Sequence, residues 1–336
     1  MEAFERLLAT LRGEKPDRTP WLPLIFGAAY AHTGHSLSEY LHHPEIMAAG
    51  QVKARQYLNA DALFVFGDNA MEAEALGCRL DYSRPFYPYV TQILLDDWDK
   101  DNILPPWQNG GNRIPVLLEV CRRLKQSGGG FPIIAHVLGP VTLAAQLFGM
   151  EEFLYFAADF PEKVPSLLGE TRRVGLEIAR AYREAGADAI LVGDPCASPS
   201  FFPAEYYRRW MLKEHQALMR GLAEEGVPIR WLMVTGNVTE ILSDLARTGA
   251  DVLTVDYMVS LDAALAVPAA IIAGGLKPHL FALPDSDELY REISGLVERY
   301  RRRPDYWLST GCELPLEADW NMLKRFASRA GISKKD

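Results

Sequence analysis

The chain is expected to fold as a (β/α)₈ TIM barrel, and two observations predict it. Short β-branched or aromatic runs alternate with long amphipathic stretches, the pattern of βα units wound around a parallel sheet. Eight such runs can be counted, which suits a closed barrel better than an open doubly wound sheet. The 336 residues are long for one core, but barrels often pass ~250 residues as single domains. No low-complexity segment or long linker divides the chain, so one domain over residues 1–336 is expected.

The expected strands are Trp21–Phe26, Ala62–Phe66, Pro132–Val137, Ala189–Val192, Ile229–Val234, Val252–Val255, Ala269–Ala273 and Tyr306–Ser309. Three junctions look alike: Asn59-Ala60-Asp61, Ala185-Gly186-Ala187-Asp188 and Thr248-Gly249-Ala250-Asp251 precede the second, fourth and sixth strands. A Gly or Asn that closes a helix, then a short turn into a strand, is sound αβ-loop chemistry. Between the second and third strands lies an insertion, roughly Arg79 to Phe131, rich in Pro and Gly. It is read as part of a substrate lid.

Composition excludes several functions. Hydrophobic residues make up 49% of the chain, ample for a large core, and the net charge is −9. There is no basic stripe, so nucleic acid is not an expected partner. The dense run Arg301-Arg302-Arg303 reads as a solvated helix end before Pro304. No apolar leader and no apolar run of about 18 residues appear, so neither a signal peptide nor a membrane span is expected. Cys78, Cys121, Cys196 and Cys312 are scattered and do not suggest a disulfide framework. A cytoplasmic setting is expected. Cys78 and Cys121 read as structural.

Barrels of this kind carry their chemistry at the carboxyl ends of the strands. Those positions hold Asp68, His136, Asp194-Pro195-Cys196, Met233 and Thr235 before Gly236-Asn237, Asp256-Tyr257, Gly274-Gly275 and Gly311-Cys312-Glu313. Singly, a strand-end Asp often caps a helix, and a free Cys is often an inert small hydrophobe. Their recurrence at one end of the βα unit makes the set a candidate active site. Asp194, Asp256 and His136 are the expected catalytic groups. Asp68, Tyr30, His32, Met233, Asn237 and Gly274 are expected to bind substrate.

Several segments are familiar. Asp68-Asn69-Ala70-Met71-Glu72-Ala73-Glu74-Ala75-Leu76-Gly77, Gly139-Pro140-Val141-Thr142-Leu143-Ala144, Asp194-Pro195-Cys196-Ala197-Ser198 and Ser309-Thr310-Gly311-Cys312-Glu313-Leu314-Pro315 resemble the methylcobamide:coenzyme M methyltransferases and related corrinoid methyltransferases of the uroporphyrinogen-decarboxylase superfamily. The resemblance runs from about Arg18 to Phe326. It implies a barrel that moves a methyl group between a small substrate and a corrinoid on a partner protein. It also implies a zinc site, built from His-x-Cys on the fifth strand and a distant Cys on the eighth. Cys312 matches the distant Cys, but Met233 and Thr235 stand at the other two positions. Neither is a good zinc ligand. A rebuilt site would draw on Cys312 with Cys196, Asp194 or His136.

Losing the His-x-Cys pair makes a thiol acceptor less suitable, because zinc is what activates a thiolate. A methyl donor such as an aryl methyl ether is therefore expected, with Tyr30, Tyr87, Tyr89 and Trp107 available to an aromatic ring. The superfamily's decarboxylase branch is the second reading. Its arginine-rich motif is missing, since Thr19 to Gln51 contains no Lys or Arg, and a polycarboxylate needs cations to pair with. A third reading is a non-catalytic module that binds a tetrapyrrole or corrinoid.

Overall fold

A computed structural model describes residues 1–109, 112–267, 270–283, 287–301, 303–329 and 331. Eight parallel strands form one curled sheet: β1 Trp21–Leu22, β2 Leu63–Val65, β3 Ile133–Leu138, β4 Ala189–Gly193, β5 Ile229–Met233, β6 Val252–Val255, β7 Ile271–Leu276 and β8 Tyr306–Thr310. Their order in the sheet is β1-β8-β7-β6-β5-β4-β3-β2, every neighbouring pair parallel. This is the (β/α)₈ fold that the alternating pattern predicts. Most strands are buried along their whole length, as a sheet covered on both faces requires.

No ladder joins β1 to β2 among the described residues. That seam is closed by Asp61. Its backbone N–H donates to Trp21 O (2.9 Å), and its carboxylate accepts the Trp21 N–H (2.8 Å). Arg6 and Arg18 both reach the same carboxylate at 2.7 Å. The device recurs at the other two junctions: Asp188 accepts the Ile133 N–H (3.0 Å), and Asp251 the Arg230 N–H (2.9 Å). So each helix-closing turn ends in an aspartate that ties its strand to the preceding one. The turns themselves are left-handed, at Asn59 (φ 50), Gly186 (φ 111) and Gly249 (φ 85), as their residue types predict.

Several boundaries differ from expectation. The first strand ends at Leu22, not Phe26. Pro23 cannot donate to a ladder, and the chain turns into a 3₁₀ helix at Phe26–His32. The seventh begins at Ile271 and runs on to Leu276; Ala269 lies outside the described residues, as does Arg302. Of the basic run, Arg301 pairs with Glu298 (2.9 Å) and Arg303 with Asp305 (2.7 Å), which matches the solvated-end reading.

The insertion proves shorter than its Pro and Gly content implies. Helix Ile114–Ser127 belongs to the barrel's own outer layer. Its buried Leu117, Val120, Cys121 and Leu124 lie three or four apart, one apolar face turned toward β2 and helix Pro44–Leu58. The added part is a hairpin, Arg79–Asp81 with Tyr89–Gln92, followed by a loop and the 3₁₀ turn Trp107–Asn109. No described helix is long and apolar enough to cross a membrane.

Candidate active site

The first loop carries an unusual backbone. Phe26 is buried with φ 40, a conformation that costs a bulky residue about 1–3 kcal/mol. Its carbonyl is held by Gln51 Nε2 (2.8 Å) and Tyr40 Oη (3.3 Å). That turn lays the Phe26 ring on Phe66, with centroids 4.3 Å apart and planes 19° apart. Both rings flank His136, at 5.8 and 4.9 Å.

His136 stands near the end of β3, 6% exposed. Its Nε2 lies over Gly193 of β4, so close that a Cβ there would come within 2.3 Å. Among the described residues its ring nitrogens have no hydrogen-bond partner. Burial without a counter-charge pushes the imidazole down to about 3. His136 is therefore neutral near pH 7, with one N–H to give and one lone pair to offer.

A strand-end carboxylate to which the sequence reading gave no role completes this region. Glu313 follows β8 and accepts the hydroxyl of Tyr87 (3.3 Å), while Tyr87 Oη accepts the Gly27 N–H (3.1 Å). Tyr87 comes from the hairpin and stands edge-on to Phe66, at 5.9 Å. Burial, helped by the charge of Asp68, pushes Glu313 up to about 7. A second unassigned acid, Glu72, is buried in helix Met71–Leu76 and accepts the Leu138 N–H (2.9 Å). Burial pushes it up to about 7 as well.

The remaining expected residues are placed as follows. Asp68 is buried, accepts the Ala70 N–H (2.9 Å) and is ion-paired to Arg113, whose Nε also reaches Glu74 (2.9 Å). Asp194 is fully buried and saturated. Oδ1 accepts the Thr142 N–H and hydroxyl (2.7 Å each), and Oδ2 accepts the Val141 N–H (3.2 Å) and faces His215 Nε2 (2.9 Å). It thus caps helix Pro140–Phe148, the helix that follows β3. His215 Nδ1 lies 3.0 Å from Tyr207 Oη, inside a π-helical turn, Tyr207–Met211.

Asp256 accepts the Gly236 N–H (3.0 Å) and so joins the loops after β5 and β6. Met233 is buried, and its carbonyl accepts the Asp194 N–H (2.8 Å). Asn237 is exposed and takes the Thr239 N–H and hydroxyl, an Asx turn. Gly274 has φ 136, and a Cβ there would strike Val255 O at 2.2 Å, so it serves close strand packing. His32 packs on Trp320 (4.1 Å) and Tyr57 (5.2 Å). The Tyr30 carbonyl closes a turn onto Thr33. The described contacts bring neither to the His136 cluster.

The donors for zinc do not assemble. Burial pushes the Cys196 and Cys312 thiols up to about 12, so with no cation beside them both are protonated near pH 7. Asp194 has no lone pair to spare, and His136 sits in an aromatic cage. Among the described residues, no three His, Cys, Asp or Glu side chains are placed to hold a metal. The described residues therefore do not bring the rebuilt site together.

The comparisons with known proteins agree with this fold. A methyltransferase from Methanosarcina mazei superposes with a TM-score of 0.87 at 23% identity, covering 98% of each chain. The methylcobamide:CoM methyltransferase MtaA of Methanosarcina barkeri is 28% identical over 268 residues, 76% of this chain and 75% of that one. A uroporphyrinogen decarboxylase of Chloroflexus aggregans is 26% identical over 334 residues, 93% of this chain and 92% of that one. Residues 2–331 match the uroporphyrinogen decarboxylase (URO-D) family, and the chain belongs to it.

Proposed function

We propose that this protein transfers a methyl group between a small substrate and a cobamide carried by a partner protein, with an aryl methyl ether as donor. The observation that carries this reading is the pair of phenylalanines around a neutral His136 at the strand ends. An uncharged apolar wall suits a ring and a methyl group. It does not suit a polycarboxylate, which needs free cations. Arg113, the buried cation beside Asp68, already pairs with two carboxylates.

The cobamide supplies the methyl-transfer chemistry when bound; the chain supplies binding, orientation and electrostatics. The rim fits a broad apolar macrocycle: Phe201 is 43% exposed, Tyr257 40% and Met258 54%, on the loops after β4 and β6. His136 donates its one N–H to the donor oxygen, whose negative charge grows as the methyl group leaves. Asp256 holds the loops after β5 and β6 together around the bound substrate. Asp194 acts at one remove, by fixing the start of helix Pro140–Phe148 and the loop that carries Cys196.

The test uses the purified full chain with cob(I)alamin and methoxybenzene, followed by the absorbance of methylcobalamin. Turnover supports the reading. No methyl transfer, together with decarboxylation of uroporphyrinogen, would replace it with the decarboxylase reading. Absence of both, with retained corrinoid binding, would leave a binding module.

A further inference from the structure

The hairpin meets the barrel mouth through a phenol. Tyr87 Oη accepts one N–H, from Gly27, and gives its own proton to one carboxylate, Glu313, while its ring rests edge-on against Phe66. This space exists only because residue 27 has no side chain. A Cβ there would lie 2.1 Å from Tyr87 Oη. Phe26, at φ 40, turns the chain immediately before it.

Tyr82 also meets the barrel, at Glu74, Arg113 and His42, but the rest of the hairpin is loosely held. Its two strands pack chiefly on each other. Phe86 is 63% exposed and Tyr89 43%. Backbone bonds anchor both ends, Cys78 N–H to Ala73 O (2.9 Å) and Leu94 N–H to Leu147 O (3.0 Å). The segment between them has few buried contacts, the property of elements that open locally.

We propose that Tyr87 occupies, from within the chain, the subsite for a phenolic ring, and that the hairpin withdraws when such a ring binds. The inference rests on the methyl-transfer reading, because demethylation of an aryl ether yields a phenol. The C–O bond breaks and the methyl group passes to the cobamide, whose electron pair forms the new bond. The oxygen keeps the C–O pair and takes one proton from solvent. The resulting phenol has one lone pair for the Gly27 N–H and one O–H for Glu313, the two bonds that Tyr87 makes. An ether oxygen can take only the first, so phenol binds more tightly than methoxybenzene, by roughly tenfold for one lost hydrogen bond.

The test measures phenol binding by calorimetry, and hydrogen–deuterium exchange of residues 79–92 with and without phenol, on the full chain. Phenol is expected to bind and to speed exchange across the hairpin. Tyr87→Phe keeps the ring but drops both hydrogen bonds. It is expected to bind phenol roughly ten- to hundredfold more tightly, because the internal competitor loses two hydrogen bonds. Failure of phenol to bind, or binding that leaves hairpin exchange unchanged or slower, would overturn the proposal. The methoxybenzene assay separates this from the reaction itself. Phenol-driven opening without methyl transfer leaves the subsite standing and sinks the reaction; methyl transfer without a phenol effect does the reverse.

Discussion

The two ends of this barrel differ in how completely their polar groups are paired. At the amino-terminal ends of the strands each junction aspartate meets both a cation and a backbone N–H. Asp61 holds Arg6, Arg18 and Trp21; Asp188 holds Lys125 and Ile133; Asp251 holds the side chain and backbone of Arg230. At the carboxyl ends Asp68 is paired and Asp194 saturated, but beside them Glu72 and Glu313 have no ion pair among the described residues, His136 has no hydrogen bond, and Phe26 is strained. Saturated groups resist change and hold the sheet closed. Unsaturated ones remain free to meet something that is not part of the chain. The difference assigns stability to one face and chemistry to the other.

The sharpest way to break that division is at the seam. Asp61→Ala leaves Arg18 without its carboxylate, the buried Arg6 with Asp17 alone, and the Trp21 N–H without an acceptor. Removing one partner from a buried ion cluster costs about 3–5 kcal/mol. Urea unfolding followed by circular dichroism is expected to show a loss of that size. A loss below about 1 kcal/mol would mean that the seam is held by packing instead.

The next effect is smaller and opposite in sign. Glu72 is raised from 4.5 to about 7 in the folded chain, so folding favours its protonated form. As pH rises from about 4.5 to 7, the unfolded chain sheds this proton while the folded one keeps it, and stability falls. Above about 7 both states are ionised and the penalty is constant, roughly 3 kcal/mol by linkage. Glu72→Gln keeps an acceptor for the Leu138 N–H without the charge. It is expected to match the parent at pH 4.5 and exceed it at pH 8, by up to about 3 kcal/mol in denaturant titrations. Equal stability at pH 8 would show that solvent already reaches this carboxylate.

How much of this was legible follows from how local each signal is. The strands and their left-handed junctions were readable because Asn59, Gly186 and Gly249 act through their own backbone conformation. The end of β1 was not. The turn at Phe26 depends on Gln51 and Tyr40, contacts that only the folded chain makes. The capping role of Asp194 was named as a general alternative, yet its partners Thr142 and His215 lie 52 and 21 residues away. Helix Ile114–Ser127 was legible around Cys121, but the adjoining Pro- and Gly-dense stretch drew it into the insertion, because its packing on β2 is a contact of the folded chain. Glu313 was in plain view beside Cys312. What sets its environment is Tyr87, 226 residues earlier.

The finest comparison concerns one side chain at the carboxyl end whose loss is expected to cost function and almost no stability. His136 makes no hydrogen bond and carries no charge, so replacing it by an aromatic ring of similar shape leaves no buried group unpaired. His136→Phe extends the stack of Phe26 and Phe66, and its unfolding free energy is expected to stay within about 1 kcal/mol of the parent. The donor N–H, however, is gone. Removing one preorganised donor from a developing oxyanion costs about 10²–10³ in rate, and methylcobalamin formation from methoxybenzene is expected to fall by that factor. A variant that loses several kcal/mol of stability but keeps its rate would move His136 into the same class as Asp61. The line between the two faces would then run through β3 rather than between the strand ends.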